Sequence, residues 1–292
     1  MVAGKASIVV LTFNREEVIG KTLDAMMKLD YPQEYEVIVI NDGSSDGTKR
    51  VLEDYRKEKR VRIINHEKEL GPCKTRNEGI RKARFPFVVI MDDDCIPKRN
   101  WLKDLMKGFN EERVGVVSGF SIYGGTSTAF RKDVLDRVGL YDEDYFYYRE
   151  DTDLVFRIMD AGYKVKQVKA GYVHEHEIEK PNGFIGLLRH GFKRAKNHAK
   201  DVLLYKKNPE RAKKFLNVRL GFFVDPLTDF RSATGKWHKG GTLNLSSPRG
   251  IIFIENKNFL NTVLIFLLGI SYVISVKLVR LNASIKYGKL LI

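Results

Sequence analysis

At 292 residues, with 43% hydrophobic and 11% aromatic content, the chain carries enough apolar matter for a packed core, which excludes a disordered protein. Two cysteines, Cys73 and Cys95, exclude a disulfide framework and lack metal-ligand spacing, which fits a reducing compartment with both thiols buried as small apolar groups. The formal net charge of +14 points to anionic partners, and where that charge sits decides which.

Strands alternate with helical stretches through the first half. Ser7–Leu11 reads as a strand, and Glu16–Leu29 carries Val18, Ile19, Leu23, Met26 and Met27 at helical spacing. A second strand follows at Glu36–Ile40, a second helix at Ser45–Lys57, a third strand at Val61–Ile64 and a third helix at Lys74–Ala83. Phe87–Met91, a five-residue apolar run bounded by Pro86 and by acids, reads as a buried parallel strand. Further on, Asp153–Ala161 is a helix that Glu150-Asp151 can cap. The alternation predicts an α/β fold with a doubly wound, mostly parallel sheet and flanking helices.

Polar loops punctuate three of these strands at the same end: Thr12-Phe13-Asn14-Arg15, then Asn41 to Thr48, then the triplet Asp92-Asp93-Asp94. Carboxyl ends of parallel strands border the crevice in which open α/β sheets bind ligands. Crowded carboxylates repel one another and need a cation or hydrogen-bond donors to stay ionised, and oxygen ligands suit Mg²⁺ or Mn²⁺ bridging to a phosphate. Asp42 can accept from a base N–H, and Arg15 or Arg76 can pair with phosphate. An acidic turn and an ordinary Asn-Asp-Gly-Ser loop are the plainer readings of the same residues. Neither G-x-G-x-x-G nor G-x-x-x-x-G-K-[ST] occurs, which argues against a dinucleotide or P-loop site.

The positive charge gathers later. Between Gly186 and Arg219 stand eleven Lys and Arg against Asp201 and Glu210, with Leu188, Phe192, Ala195, Ala199, Val202 and Leu203 at helical spacing. A basic amphipathic helix ending before Pro209 suits an anionic lipid surface; a nucleic-acid patch and a solvated helix face are the alternatives. Phe259–Val276 is eighteen residues without a charge. It spans roughly 27 Å as a helix, near the ~30 Å hydrocarbon core, so a membrane segment is expected there, with a buried soluble helix as the rival. No signal peptide is expected at the N-terminus, so the bulk of the chain is expected at the cytoplasmic face of the membrane.

Five stretches together resemble the family 2 glycosyltransferases, which carry the GT-A fold: SIVVLTFNRE (7–16), EVIVINDGSSDGT (36–48), GPCKTRNEGIRKA (71–83), VVIMDDDCIPKRNWL (88–102) and residues 124–165. The resemblance covers about residues 7 to 176. It implies an inverting, metal-dependent enzyme using Mn²⁺ or Mg²⁺ and a nucleoside-diphosphate sugar. Thr12, Asn14, Arg15 and Asp42 look like nucleotide-contacting positions, and Arg76 and Asn77 like the pair near ribose and diphosphate. Asp92 and Asp94 match the acids of the family's DxD, with Asp93 between them on the donor side and Asp94 the direct metal ligand. Asp151 resembles the catalytic base, and His174 sits where relatives complete the metal site, with His176 as its rival.

The chemistry is consistent with these roles. A metal stabilises charge developing on a departing diphosphate, one base deprotonates the incoming hydroxyl, and the absence of a covalent nucleophile implies displacement with inversion. The expected organisation is a catalytic domain over 1–180, a basic membrane-interfacial region over 181–257, and a hydrophobic segment with basic tail over 258–292. The acceptor is expected to be a glycan, lipid-linked or otherwise membrane-borne, and no nucleic-acid partner is expected. A sugar-nucleotide pyrophosphorylase, whose glycine-rich loop Leu11–Arg15 does not match, and a non-catalytic membrane-tethered nucleotide-binding module are the alternatives.

Overall fold

The computed structural model describes residues 4–175, 183–234, 242–247, 250–255 and 259–292. The chain divides into two compact units, Met1–Glu175 and His176–Ile292.

The first unit runs β1 (Ala6–Thr12), α1 (Ile19–Met27), β2 (Tyr35–Asn41), α2 (Thr48–Glu53), β3 (Val61–Asn65), α3 (Pro72–Lys82) and β4 (Phe87–Asp92). It continues through β5 (Cys95–Pro97), α4 (Trp101–Met106), β6 (Val114–Ser118), β7 (Thr128–Arg131), α5 (Lys132–Val138), α6 (Glu150–Asp160), β8 (Lys164–Gln167) and β9 (Tyr172–His174). Seven strands form one sheet in the order β3-β2-β1-β4-β7-β6-β8, and β5 pairs with β9 separately. The run β3-β2-β1-β4 is parallel, as expected from the alternation, and its inner strands are buried on both faces because helices cover both. β7 lies antiparallel to β4 and to β6, a feature that the alternation did not reveal. At the edge, β8 carries Lys164 and Lys166, both paired with Glu111; charge on an edge strand discourages pairing with a further chain.

Four helices begin elsewhere than predicted; α3 starts two residues early at Pro72, and the other three shift for identifiable reasons. α1 starts at Ile19 and not Glu16 because the intervening residues are tied to the loop after β2. Asn14 adopts φ +53°, the Arg15 amide donates to Thr48 Oγ1 (2.8 Å) and the Glu16 amide to Asp46 Oδ2 (3.2 Å). That same loop delays α2 to Thr48, whose amide donates to Asp46 Oδ1 (3.0 Å). α6 starts at Glu150 and not Asp153, so Glu150 and Asp151 occupy its first turn and do not cap it, where acids favour the helix dipole. Cys73 and Cys95 are free and buried, in line with their reading as small apolar groups.

A buried carboxylate fastens the strand starts. Glu36, 1% exposed, accepts from Ser7 Oγ (2.7 Å), the Arg84 amide (2.9 Å), Arg84 Nε (2.9 Å) and Arg62 Nη1 (3.3 Å). Burial pushes its pKa up, but these donors outweigh burial and hold it below its ordinary value of 4.5.

The second unit comprises α7 (Gly183–Ala195), a 3₁₀ turn (Lys196–His198), α8 (Ala199–Lys207), α9 (Pro209–Phe215), the hairpin β10 (Val218–Arg219) and β11 (Phe223–Val224), and α10 (Pro226–Thr234). A second hairpin, β12 (Thr242–Ser247) with β13 (Gly250–Glu255), precedes the last helix, α11 (Phe259–Tyr287). The expected basic helix is therefore two helices separated by the 3₁₀ turn. His198 in that turn is buried and bonds to Asp201 (2.6 Å) and to the Tyr272 hydroxyl (3.0 Å).

α11 is longer than the predicted apolar segment and two-sided. Ile265, Gly269, Tyr272, Val276 and Arg280 are buried on one face, whereas Leu260, Leu267, Ile270, Ile274, Leu278 and Ile285 are exposed. Arg280, 1% exposed, is held by Asp201 (2.7 Å) and Asp229 (2.8 Å), which fixes α11 to α8 and α10. By length and composition α11 can cross a membrane, and 28% of its most apolar window is buried.

Glu36→Gln is expected to lower stability by about 2 kcal/mol, because four donors lose a charged acceptor. The depressed native pKa means that the carboxylate's contribution is present above the unfolded value and is lost as pH falls through the native value. In urea unfolding, the gap between wild type and variant should be full at pH 7 and close as pH falls below the ordinary carboxylate value of 4.5 and through the lower native one.

Candidate active site at the carboxyl ends of the central strands

β1 lies between β2 and β4, so the loops leaving these three strands meet at one edge. The first two are interlocked: the Asn14 amide donates to Ser44 Oγ (2.9 Å) and the Ser45 amide to Asn14 Oδ1 (2.9 Å). Asp42 ends 2% exposed, accepting from the Leu70 amide (3.0 Å), the Gly71 amide (2.9 Å) and His66 Nδ1 (2.7 Å). Burial opposes its ionisation, but these donors keep its pKa below the usual range. Gly71 stands at φ +93°, and a Cβ there would meet the Phe146 ring at 2.4 Å. Only glycine reconciles the turn with that ring.

The aspartate triplet turns the chain from β4 into β5. Asp92 closes β4, its amide donating to Thr126 Oγ1 (3.0 Å). Asp93 faces Arg15, with Nε 3.5 Å from Oδ1, and Thr12 from β1. Burial pushes the Asp93 carboxyl up to about 7, against the pull of Arg15. Asp94 meets His174, because β5 and β9 pair Cys95 with His174 in register. His174 Nε2 stands 2.9 Å from Asp94 Oδ1. Burial works against the imidazolium, but Asp94, Asp92 and Asp93 together raise the His174 pKa.

Asp94, Cys95 and His174 place their ligand atoms within 4.8 Å of one another. Cys95 is fully buried and burial raises its thiol pKa, so it stays a neutral thiol. The oxygen and nitrogen donors of Asp94 and His174 fit a hard or borderline divalent ion such as Mn²⁺. Excess negative charge around them fits it too: burial and Asp94 raise the Asp92 pKa, with Arg76 and His174 opposing. His176 lies outside the described residues.

Arg76 from α3 bridges the triplet to α6. Its Nη1 donates to Glu150 Oε1 (2.9 Å), its Nη2 is 3.7 Å from Asp92 Oδ1, and its guanidinium lies 5.5 Å from the centre of the Tyr141 ring. Asp151 follows Glu150 in the first turn; the Tyr141 hydroxyl and the Gly125 amide face its carboxylate, and among the described residues its buried Oδ1 is left without a hydrogen bond. Burial raises the Asp151 carboxyl, with Arg76 opposing, and burial together with Asp151 raises Glu150. Gly124, at φ +87°, leaves room for this carboxylate: a Cβ there would lie 3.1 Å from Asp151 Cβ. The approach to Asp151 is backbone under strain, with Phe146, Tyr148 and Arg149 at φ +60°, +72° and +75°.

The structure thus draws Thr12, Arg15, Arg76, Asp92, Asp93, Asp94, Asp151 and His174 into one acidic cleft. Asn14 and Asp42 shape its wall. Asn77 turns elsewhere: its Oδ1 accepts from the Tyr141 amide (2.9 Å), and its Nδ2 donates to the Tyr141 carbonyl (2.8 Å) and to Glu143 (3.2 Å), fixing the loop that leads to Asp151. Glu150, read from sequence with Asp151 as a helix cap, is instead the direct partner of Arg76. No motif in the sequence marks His66, a lone histidine after a strand.

Removing Arg76 strands the buried carboxylate of Glu150 and takes a counter-charge from Asp92. Arg76→Met is expected to cost about 3–5 kcal/mol in thermal or urea unfolding, and adding Glu150→Gln should recover part of it, because one uncompensated charge is then gone. Equal losses in the single and double variants would refute this coupling.

The profile of the Glycosyl transferase family 2 matches residues 7–163. Among curated proteins, the poly-beta-1,6-N-acetyl-D-glucosamine synthase of Staphylococcus epidermidis is 26% identical over 196 residues, 55% of this chain and 47% of that protein. The poly(ribitol-phosphate) beta-N-acetylglucosaminyltransferase TarS of Staphylococcus aureus is 33% identical over 115 residues, 39% of this chain and 20% of that one. The chain spans about half the length, or less, of these relatives. Among solved structures, the mannosyltransferase PcManGT from Pyrobaculum calidifontis, in complex with GDP-Man and Mn2+, aligns with TM-score 0.61 at 18% identity, covering 96% of this chain and 89% of that one. S. aureus TarS 1–349 in complex with UDP-GlcNAc aligns with TM-score 0.53 at 18% identity, covering 98% and 92%. These likenesses establish a GT-A type fold.

Proposed function

From the premise that this chain belongs to glycosyl transferase family 2, we propose that it is an inverting, metal-dependent enzyme of a membrane surface. It moves a sugar from a nucleoside-diphosphate sugar to a glycan acceptor, lipid-linked or otherwise membrane-borne. One observation carries the reading: Arg76 joins the metal-competent corner of Asp94 and His174, through Asp92, to the buried acid pair Glu150-Asp151. Donor and acceptor chemistry therefore have adjoining places in one cleft.

In this reading Asp42 accepts from the nucleotide base, and Thr12, Asn14 and Arg15 line the nucleotide on either side of it. Arg76 and Asp92 lie toward the diphosphate, and Asp94 with His174 holds a divalent ion, Mn²⁺ or Mg²⁺. When bound, such an ion supplies Lewis-acid stabilisation of the departing diphosphate. Asp151 accepts the acceptor hydroxyl's proton through the unpartnered Oδ1 as that oxygen bonds to the anomeric carbon and the bond to the diphosphate breaks. One carboxylate acts as base and none is consumed as nucleophile, so the anomeric configuration inverts. The raised pKa of Asp151 suits a base, and its sign sets the pH response: turnover falls as pH drops through a value above the ordinary 3.8, because protonated Asp151 cannot accept. The relatives' names point to N-acetylglucosamine or mannose donors, so UDP-GlcNAc and GDP-mannose are the first to try.

Two measurements test the chemistry. With Mn²⁺ and a panel of nucleotide sugars, release of nucleoside diphosphate should require the ion and be abolished by Asp94→Ala in a folded protein. Asp151→Asn should keep donor affinity and lower turnover by about 10²-fold or more. Full turnover in EDTA would remove the metal, and equal loss of donor binding in Asp151→Asn would move Asp151 into the donor site.

For the membrane, we read the 181–257 region as interfacial and 258–292 as the anchor, at the cytoplasmic face. The support is the exposed apolar row of α11 together with the basic residues of α7 to α9. Full-length protein should sediment with anionic vesicles, and Leu267→Asp with Ile274→Asp should release it while leaving the buried face of α11 intact. Unchanged sedimentation of that double variant would refute attachment through this face.

A further inference from the structure

Nothing in the proposed chemistry uses His66, yet it is built into the donor side of the cleft. It directly follows β3, its amide donating to the Asn41 carbonyl (2.9 Å) at the end of β2. The ring is closed in, with a side chain only 10% exposed, and both its nitrogens face carboxylates. Nδ1 is 2.7 Å from Asp42 Oδ1, and Nε2 is 2.8 Å from Glu78 Oε2 on α3. A neutral imidazole has one N–H and cannot donate to both. Only the imidazolium satisfies both contacts, so the arrangement is a carboxylate–imidazolium–carboxylate chain running from α3 to Asp42.

The loop that follows fixes the other side of the same carboxylate. The Leu70 amide donates to Oδ1 and the Gly71 amide to Oδ2, while Gly43, at φ +77°, lets residues 68 and 69 close over the start of the loop after β2. Asp42 is thus clamped from three directions, and His66 is the one clamp that carries charge. We propose that His66 is a positioning residue for the donor: as an imidazolium braced by Glu78, it fixes Asp42 in the orientation that accepts a base N–H of the nucleotide. This rests on the reading of Asp42 as the base acceptor and adds a pH dependence to donor binding.

The sign follows from the pair. Burial alone disfavours the imidazolium, but Asp42 and Glu78, the charged groups facing the ring, outweigh burial and raise the His66 pKa above its ordinary 6.5. The clamp is therefore whole at low and neutral pH, and as pH rises through that raised value the ring loses its charge and can hold only one of its two carboxylates. Removing the charge of Glu78 should bring the release to lower pH.

Calorimetric binding of UDP and GDP, with Mn²⁺ held constant, between pH 6 and 9 tests this in the full chain. Wild type should bind one of the two, with affinity falling about tenfold or more toward alkaline pH as the charge-assisted bond is lost. Glu78→Gln should show the same fall at lower pH. His66→Gln should bind about tenfold more weakly at pH 6, with the difference from wild type vanishing at high pH. Its donor KM should rise with kcat little changed, since His66 does not touch the reacting atoms. Other site groups titrate in all three proteins, so the differences between profiles are the readout. If Asp42→Asn binds as wild type does, or if neither nucleotide binds wild type, the base-acceptor reading fails and this proposal with it. If Asp42→Asn weakens binding but His66→Gln and Glu78→Gln follow the wild-type profile, His66 has no positioning role and the reading of Asp42 stands.

Discussion

The crowding of carboxylates at the end of β4 and the start of α6 is the constraint on which the first unit depends. Asp92, Asp93, Glu150 and Asp151 all have pKa values raised by burial, which means that the fold holds negative charge where water screens it poorly. Such a group is tolerable only beside cations. Arg76 serves Asp92 and Glu150, Arg15 serves Asp93, and His174 serves Asp94. Three strand ends and two helices are thereby fixed around one cluster, and charge supplied by a ligand complex would relieve what the protein leaves uncompensated.

Backbone conformation does the rest of the positioning. The cleft wall relies on glycine at Gly71 and Gly124, where a side chain would strike Phe146 or Asp151. Beside them, the non-glycine residues Phe146, Tyr148 and Arg149 take positive φ just ahead of the acids. Strain of this kind persists only where surrounding contacts over-determine it. Those contacts are present: Asn77 holds Tyr141, Cys73 Sγ donates to the Phe146 carbonyl (3.2 Å), and the Tyr145 hydroxyl donates to Asp153 (3.2 Å). Asn77 therefore contributes to the site by shaping the loop.

In the second unit a different balance holds. Arg280 is nearly as buried as Ile265 and Val276 of the same helix, and Asp201 with Asp229 supplies its counter-charge. A buried ion pair of this kind adds little net stability against an apolar replacement, but it fixes the register in which α11 lies on α8 and α10. That register decides which face of the helix stays bare. The residues left outside form the apolar row from Leu260 to Ile285.

The sequence by itself determined the parallel strands β1 to β4, their helices and the edge at which the polar loops gather, because apolar runs and turn residues are local signals. It also carried the family, since five ordered motifs survive without any knowledge of contacts. Tertiary structure alone decided who pairs with whom. β7 inserted antiparallel between β4 and β6, α1 and α2 shortened because their first residues bond across loops, and Glu150 became the partner of Arg76. His66 gained both its carboxylates, and α11 became two-sided through Arg280. Most of the side-chain contacts behind these features join residues from 12 to 79 positions apart in the chain, brought together by packing. Separations of that kind leave no period or spacing in the sequence from which to read them.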